Sequence, residues 1–212
     1  MPFSQSEWDA KHSLAAKEVA EVPAGILCEL LPLLPAGAAL DLACGSGRNA
    51  LFLAEHGRHV TAVDWSAAAL DILEEHAQAR KIPVRRIQRF EESRHSGRAG
   101  IDLLHANLET VELPTNRYAL ILCVRYLQRS LFPQICRALR AGGMLLFETY
   151  TKAQLDFSGG PRDPAHLLHN GELRRAFPEL EVVFYRELRA EQGIASFAAR
   201  KPQGESTRQD GN

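Results

Sequence analysis

The sequence predicts an α/β fold, a mostly parallel sheet covered by helices on both faces. Three observations carry this expectation. Short apolar runs alternate with longer helical patterns, and that order requires crossover connections between parallel strands. The strands are near-continuous apolar runs, as expected where helices bury both faces of a sheet. Near the C-terminus two strand-like segments are joined by a link too short for a crossover, which predicts one antiparallel strand.

The elements follow in chain order. Two helical stretches are expected before the sheet, near 5–19 and 24–34. ALDLA (39–43) reads as a buried strand, with GSG directly after it. RNALFLAEHG (48–57) reads as a helix stopped by Gly57. HVTAVD (59–64) is a second strand, and Ser66 is placed to cap a helix over 67–80. IDLLHA (101–106) and YALILCV (118–124) are the third and fourth strands. RSLFPQICRALR (129–140) is a helix with Pro133 in its first turn, closed by Gly142 and Gly143. MLLFETY (144–150) is the fifth strand, and 180–188 and 193–201 form the antiparallel pair.

Composition bounds the function. The 212 residues suit one domain, expected over 1–200, with a helical lid over 1–36, a core over 37–200 and a flexible tail over 201–212. A net charge of −1 disfavours a general nucleic-acid partner without excluding a local basic patch. No apolar run reaches the roughly 18 to 20 residues of a membrane span. The first residues do not read as a secretory signal. Cys28, Cys44, Cys123 and Cys136 share no metal or redox spacing, so reduced thiols and a cytoplasmic location are expected. The eight histidines show no ligand spacing, and no metal is expected. The segment 80–98 carries seven Arg or Lys against two Glu; it reads as a solvated loop or strand extension, with a docking patch for RNA or an anionic substrate as the alternative.

The chemistry concentrates in DLACGSGRNA (41–50), a strand, a glycine turn and a helix start. Gly45 and Gly47 permit a tight turn and close approach of a ligand. Asp64 follows Gly45 by nineteen residues, at the end of the second strand, where an acid can accept hydrogen bonds from ribose hydroxyls. A dinucleotide would lay its pyrophosphate on this turn. Asp41 opposes that by charge repulsion, whereas S-adenosylmethionine (SAM) carries a sulfonium and an ammonium that a carboxylate favours. SAM is therefore expected ahead of NAD.

With these residues in view, the chain resembles the class I SAM-dependent methyltransferases over about 38–200. DLACGSG is similar to the family's acid-x-Gly-x-Gly-x-Gly motif, with Ala43 at the first glycine. The resemblance implies a doubly wound, Rossmann-like, seven-stranded sheet in the order 3-2-1-4-5-7-6, strand seven antiparallel. It implies ribose binding by Asp64, adenine contacts from Asn107 and the Leu108 N–H, and a methyl-transfer site lined by CVRYL (123–127). The expected cofactor-binding set is Asp41, Ala43, Cys44, Gly45, Gly47, Asn49, Asp64, Trp65, Asn107, Leu108, Val124, Arg125 and, from the N-terminal lid, Trp8. WDAKH, FETYT and HNGELRRAF (169–177) are similar to the tellurite-resistance-like branch, which implies a small-molecule acceptor.

Arg125 and Tyr150, at the carboxyl ends of the fourth and fifth strands, are expected to line the reacting site. His166 and His169, in the long loop 156–174, are candidates to remove an acceptor's proton. The expected activity is methyl transfer from SAM to a small molecule. The alternatives are an RNA or protein methyltransferase using 80–98, a non-catalytic SAM-binding protein, and an NAD-dependent oxidoreductase. Neither the acceptor nor the oligomeric state follows from the residues.

Overall fold

A computed structural model of the chain describes residues 22–93 and 97–203. Eight strands form one sheet: β1 (Ala39–Leu42), β2 (His59–Asp64), β3 (Val84–Ile87), β4 (Gly100–His105), β5 (Tyr118–Val124), β6 (Leu139–Tyr150), β7 (Glu181–Arg189) and β8 (Gly193–Arg200). Their order is β3-β4-β2-β1-β5-β6-β8-β7. Set β3 aside and renumber, and this is the expected 3-2-1-4-5-7-6. β8 runs antiparallel to both its neighbours, and every other pairing in the sheet is parallel.

The expectation of seven strands is corrected by β3, which adds an eighth at one edge. Val84–Ile87 lies in the basic segment and pairs with Ile101–Leu104 of β4. Arg85 and Arg86 conceal the strand in the sequence, because both are exposed and neither fits an apolar run. A buried carboxylate secures it. Asp102 of β4 accepts from Arg85 Nε at 2.7 Å, His59 Nε2 at 2.8 Å and Ser93 Oγ at 2.7 Å.

Helices cover both faces. On one lie α1 (Gly25–Leu30), α2 (Arg48–Glu55) and α3 (Ala67–Ala79), burying Ile26, Leu27, Leu51, Leu53, Leu70 and Leu73 against Leu120, Leu122 and Leu146. On the other lie α4 (Phe132–Ala138) and α5 (Glu172–Ala176). There Phe177 lies 5.0 Å from Phe132 and 5.8 Å from Phe197, ring centre to ring centre. Ser66 caps α3, its Oγ accepting from the Ala69 N–H at 3.2 Å. Tyr118–Val124 is buried throughout, as a central strand requires.

A second correction concerns the helix expected over 129–140. A 3-10 turn (Arg129–Leu131) leads into α4, which ends at Ala138, and β6 starts at Leu139. Leu139 pairs with Tyr118, and a register shift brings Met144 opposite Leu120. The glycines therefore lie inside an irregular strand, with Gly142 at φ 71°, rather than behind a helix. The helix expected near 5–19 lies outside the described residues. That expected near 24–34 forms as α1 and a 3-10 turn over Leu31–Leu33. No helix among the described residues is long and apolar enough to cross a membrane.

Candidate functional site

The carboxyl ends of β1, β2, β4 and β5 converge on a cleft of about 340 Å³, the edge at which open parallel sheets take ligands. Its floor is the turn between β1 and α2. Ala43, Gly45 and Gly47 all take positive φ, at 54°, 54° and 82°. Left-handed backbone costs an L-residue roughly 1 kcal/mol, so Ala43 holds a strained position. Gly47 also has no room for a side chain, since an added Cβ would lie 2.1 Å from Leu73 Cδ1. Gly47 precedes α2 and supplies no side-chain cap; the Ala50 N–H of its first turn is met instead by the Asp41 carboxyl.

Two carboxylates bracket the turn. Asp64, closing β2, accepts from the Gly45 N–H at 2.7 Å through Oδ2 and from the Ser66 N–H at 2.9 Å through Oδ1. A carboxylate offers about four acceptor sites, so roughly two remain for hydroxyl donors in the cleft. Asp41 lies beneath the turn and is 1% exposed; its Oδ2 has no hydrogen-bond partner among the described residues. Burial, and then the charge of Asp64, raise its pKa to about 7, against the opposing pull of Arg48 and the Ala50 N–H. A buried acid without its full set of partners favours an incoming cation.

The far wall comes from the β4 and β5 ends. Asn107 closes a turn on itself, its Oδ1 accepting from the Glu109 N–H at 2.9 Å. Arg125 follows β5 at φ 61° and donates its N–H to the Glu148 carbonyl at 2.7 Å. Its guanidinium hydrogen-bonds the Tyr150 hydroxyl and lies 4.7 Å from that ring's centre. Gln128 accepts from the Tyr126 hydroxyl and donates to the Leu108 carbonyl at 3.0 Å. Burial raises the Tyr126 pKa above its usual range, so this phenol stays protonated.

Of the expected residues, Ala43, Cys44, Gly45, Asn49, Asp64, Trp65, Asn107, Leu108, Val124, Arg125 and His166 line this cleft. Asn49 is buried, and its Oδ1 anchors the chain before α1 through the Ala24 N–H at 2.9 Å. Asp41 and Gly47 support the floor from below. Tyr150 reaches the cleft through Arg125. His169 is exposed and does not line it; its backbone N–H donates to Glu172 Oε2 at 2.8 Å. Trp8 lies outside the described residues. Ser46, Glu109 and Gln128 line the cleft and were not expected. Proximity to the motif could have flagged Ser46. The other two sit in polar loops with no pattern.

His166 stands on a short 3-10 turn (Pro164–His166) secured from the opposite wall. Arg129 grips the segment through the Ala165 carbonyl at 2.8 Å, the Leu167 carbonyl at 3.0 Å and Glu172 Oε1 at 2.6 Å. Among the described residues of the basic segment, four arginines have acidic partners. Arg80 pairs with Glu55, Arg85 with Asp102, Arg86 with Asp71 and Glu74, and Arg89 with Glu92.

Residues 39–143 match the family model described as a methyltransferase domain. The ubiquinone biosynthesis O-methyltransferase of Coxiella burnetii is 28% identical over 118 residues, a match that spans 53% of this chain but only 43% of that protein. The structure of TehB from Haemophilus influenzae superposes with a TM-score of 0.67 at 19% identity, covering 92% of this chain and 67% of TehB. An S-adenosylmethionine-dependent methyltransferase from Mesorhizobium loti superposes with a TM-score of 0.62 at 19% identity, covering 88% of this chain and all (100%) of the other. At these identities the structural likeness speaks for the fold. Residues 39–143 are thus similar to a methyltransferase domain, and the strand order and these neighbours agree with one another on the fold.

Proposed function

We propose that the protein transfers the methyl group of SAM to a small-molecule acceptor. The observation that carries this reading is the pair of carboxylates bracketing the glycine turn. Asp64 retains acceptor capacity for a ribose, and Asp41 presents an unpartnered buried oxygen where a cationic ligand is favoured and a pyrophosphate is repelled. When bound, SAM supplies an electrophilic methyl carbon on its sulfonium, which an acceptor lone pair displaces with release of S-adenosylhomocysteine. The chain's own residues orient and enclose. Asp64 holds the ribose end, the turn sets the depth, and Arg48, at the start of α2, is the group for the methionine carboxylate. Val124, Tyr126 and Leu127 make the wall water-poor, which favours an in-line approach. His166 is the candidate to take a proton from an acceptor that arrives protonated; an anionic acceptor needs no base.

A small acceptor is favoured by the ion pairs that engage Arg80, Arg85, Arg86 and Arg89, four of the basic residues an RNA surface on 80–98 would use. The name of the Coxiella relative agrees with it.

The test is calorimetric titration with SAM, S-adenosylhomocysteine and NADH, repeated on Asp64→Asn. The expected result is micromolar affinity for the SAM pair, weakened about tenfold or more by the substitution, which replaces one carboxylate oxygen by an amide donor. Preferential binding of NADH would overturn the assignment.

A further inference from the structure

We propose that Arg125 and Tyr150 form a second anion subsite at the cleft, and that the methyl acceptor carries a carboxylate or comparable oxyanion there. The proposal rests on the methyltransferase reading above and adds the chemical class of the acceptor.

Some arginines of the chain are paired with acids, as Arg80 with Glu55, Arg86 with Asp71 and Glu74, and Arg129 with Glu172. Arg48 and Arg125 line the cleft together, close enough that their like charges oppose each other. Neither forms an ion pair with a carboxylate among the described residues. None of the nearby acids, Asp64 and Glu109 of the cleft included, comes within ion-pair distance of either guanidinium among the described residues. Glu148 Oε2 is taken by Ser196 Oγ at 2.7 Å, and Asp41 lies buried under the turn. Asp41 and Glu148 attract Arg48 without contacting it, so both guanidiniums keep N–H donors for an incoming anion. SAM brings one carboxylate, which Arg48 takes. Arg125 is left for the other substrate.

Arg125 is also held as a binding group would be. A non-glycine residue at φ 61° is strained, and it is fixed there by its N–H to the Glu148 carbonyl at 2.7 Å. The Tyr150 hydroxyl takes one guanidinium N–H, and the ring flanks the guanidinium. A guanidinium has five N–H donors, so enough remain for two parallel bonds to an oxyanion. The anion serves as a handle, and no bond to it changes in the transfer.

The test separates the two arginines. S-Adenosylhomocysteine is titrated into the wild type, Arg48→Gln and Arg125→Gln. The saturated proteins are then titrated with benzoate against benzamide, and with mercaptoacetate against mercaptoacetamide. The expected result is a loss of about tenfold or more in S-adenosylhomocysteine affinity for Arg48→Gln, and a smaller loss for Arg125→Gln. In the saturated wild type the charged member of each pair should bind about tenfold or more tighter than the neutral one. Arg125→Gln should abolish that preference and Arg125→Lys restore part of it, with thermal melting showing all variants folded. Equal affinity within both pairs, no binding of either anion, or a preference that survives Arg125→Gln would overturn the proposal. No binding of S-adenosylhomocysteine to the wild type would remove the methyltransferase reading and this proposal with it.

Discussion

Asp41 gives the site a pH dependence whose sign can be worked out. Its folded pKa is raised to about 7 from 3.8, mainly by burial. The native state therefore holds the proton more tightly than the unfolded chain, and without ligand Asp41's contribution makes the protein less stable as pH rises from about 4 to 7. A cationic ligand prefers the ionised form, so binding below pH 7 releases a proton. We expect the affinity for SAM to fall about tenfold between pH 8 and pH 6, and to become weak and nearly flat with pH in Asp41→Asn. Calorimetry in buffers of different ionisation enthalpy would measure both the affinity and the released proton; a flat wild-type profile would contradict this account. Asp41 was legible in the sequence because it nearly closes an apolar run before a glycine turn, and Asp64 because it closes the next apolar run nineteen residues after Gly45. Gln128 and Glu109 were not, because each enters the cleft from a polar loop, where no spacing marks the inward-facing residue.

The elements were legible where local and tertiary demands agreed. HVTAVD and YALILCV are strands over the expected residues, since continuous apolar runs suit interior positions of a parallel sheet. VRRI was hidden because its stability is non-local. Arg85 finds Asp102 seventeen residues away, and Arg86 finds Asp71 and Glu74 on α3. Burial alone would raise the Asp102 pKa, but hydrogen bonds from His59, Arg85 and Ser93 outweigh it and bring it down to about 2. This stabilisation is present above the ordinary carboxylate range and is lost as pH falls through about 2. Asp102→Asn should remove about 2 kcal/mol at pH 7 and flatten the acid unfolding curve between pH 4 and 2, measured by urea midpoints at each pH. The turn between β1 and α2 carries a steric demand as well. Gly47→Ala combines a left-handed backbone with a contact to the buried Leu73, and should lower stability by roughly 2–3 kcal/mol in urea unfolding.

At the scale of the molecule, the alternation of strands and helices made the parallel half of the sheet legible, and the short link at 190–192 revealed the reversed strand. The sequence pattern did not show where that strand inserts. β8 lies between β6 and β7, pairing with β6 from Met144 opposite Arg200 to Tyr150 opposite Ile194. A chain stopped after residue 190 loses an interior strand, leaving β7 without the strand it pairs with and the apolar β6 edge open. Such a chain should aggregate or be digested rapidly by protease, whereas a chain stopped after 203 should resist digestion like the full protein. The order of synthesis gives this arrangement a further meaning. A ribosome delivers β1 to β7 first, and the strand that joins β7 to the rest emerges last. The sheet therefore cannot close from one end as the chain appears. Until β8 is released, β6 is an unprotected edge of the nascent protein, and the interval before release is when a chaperone would have most to hold.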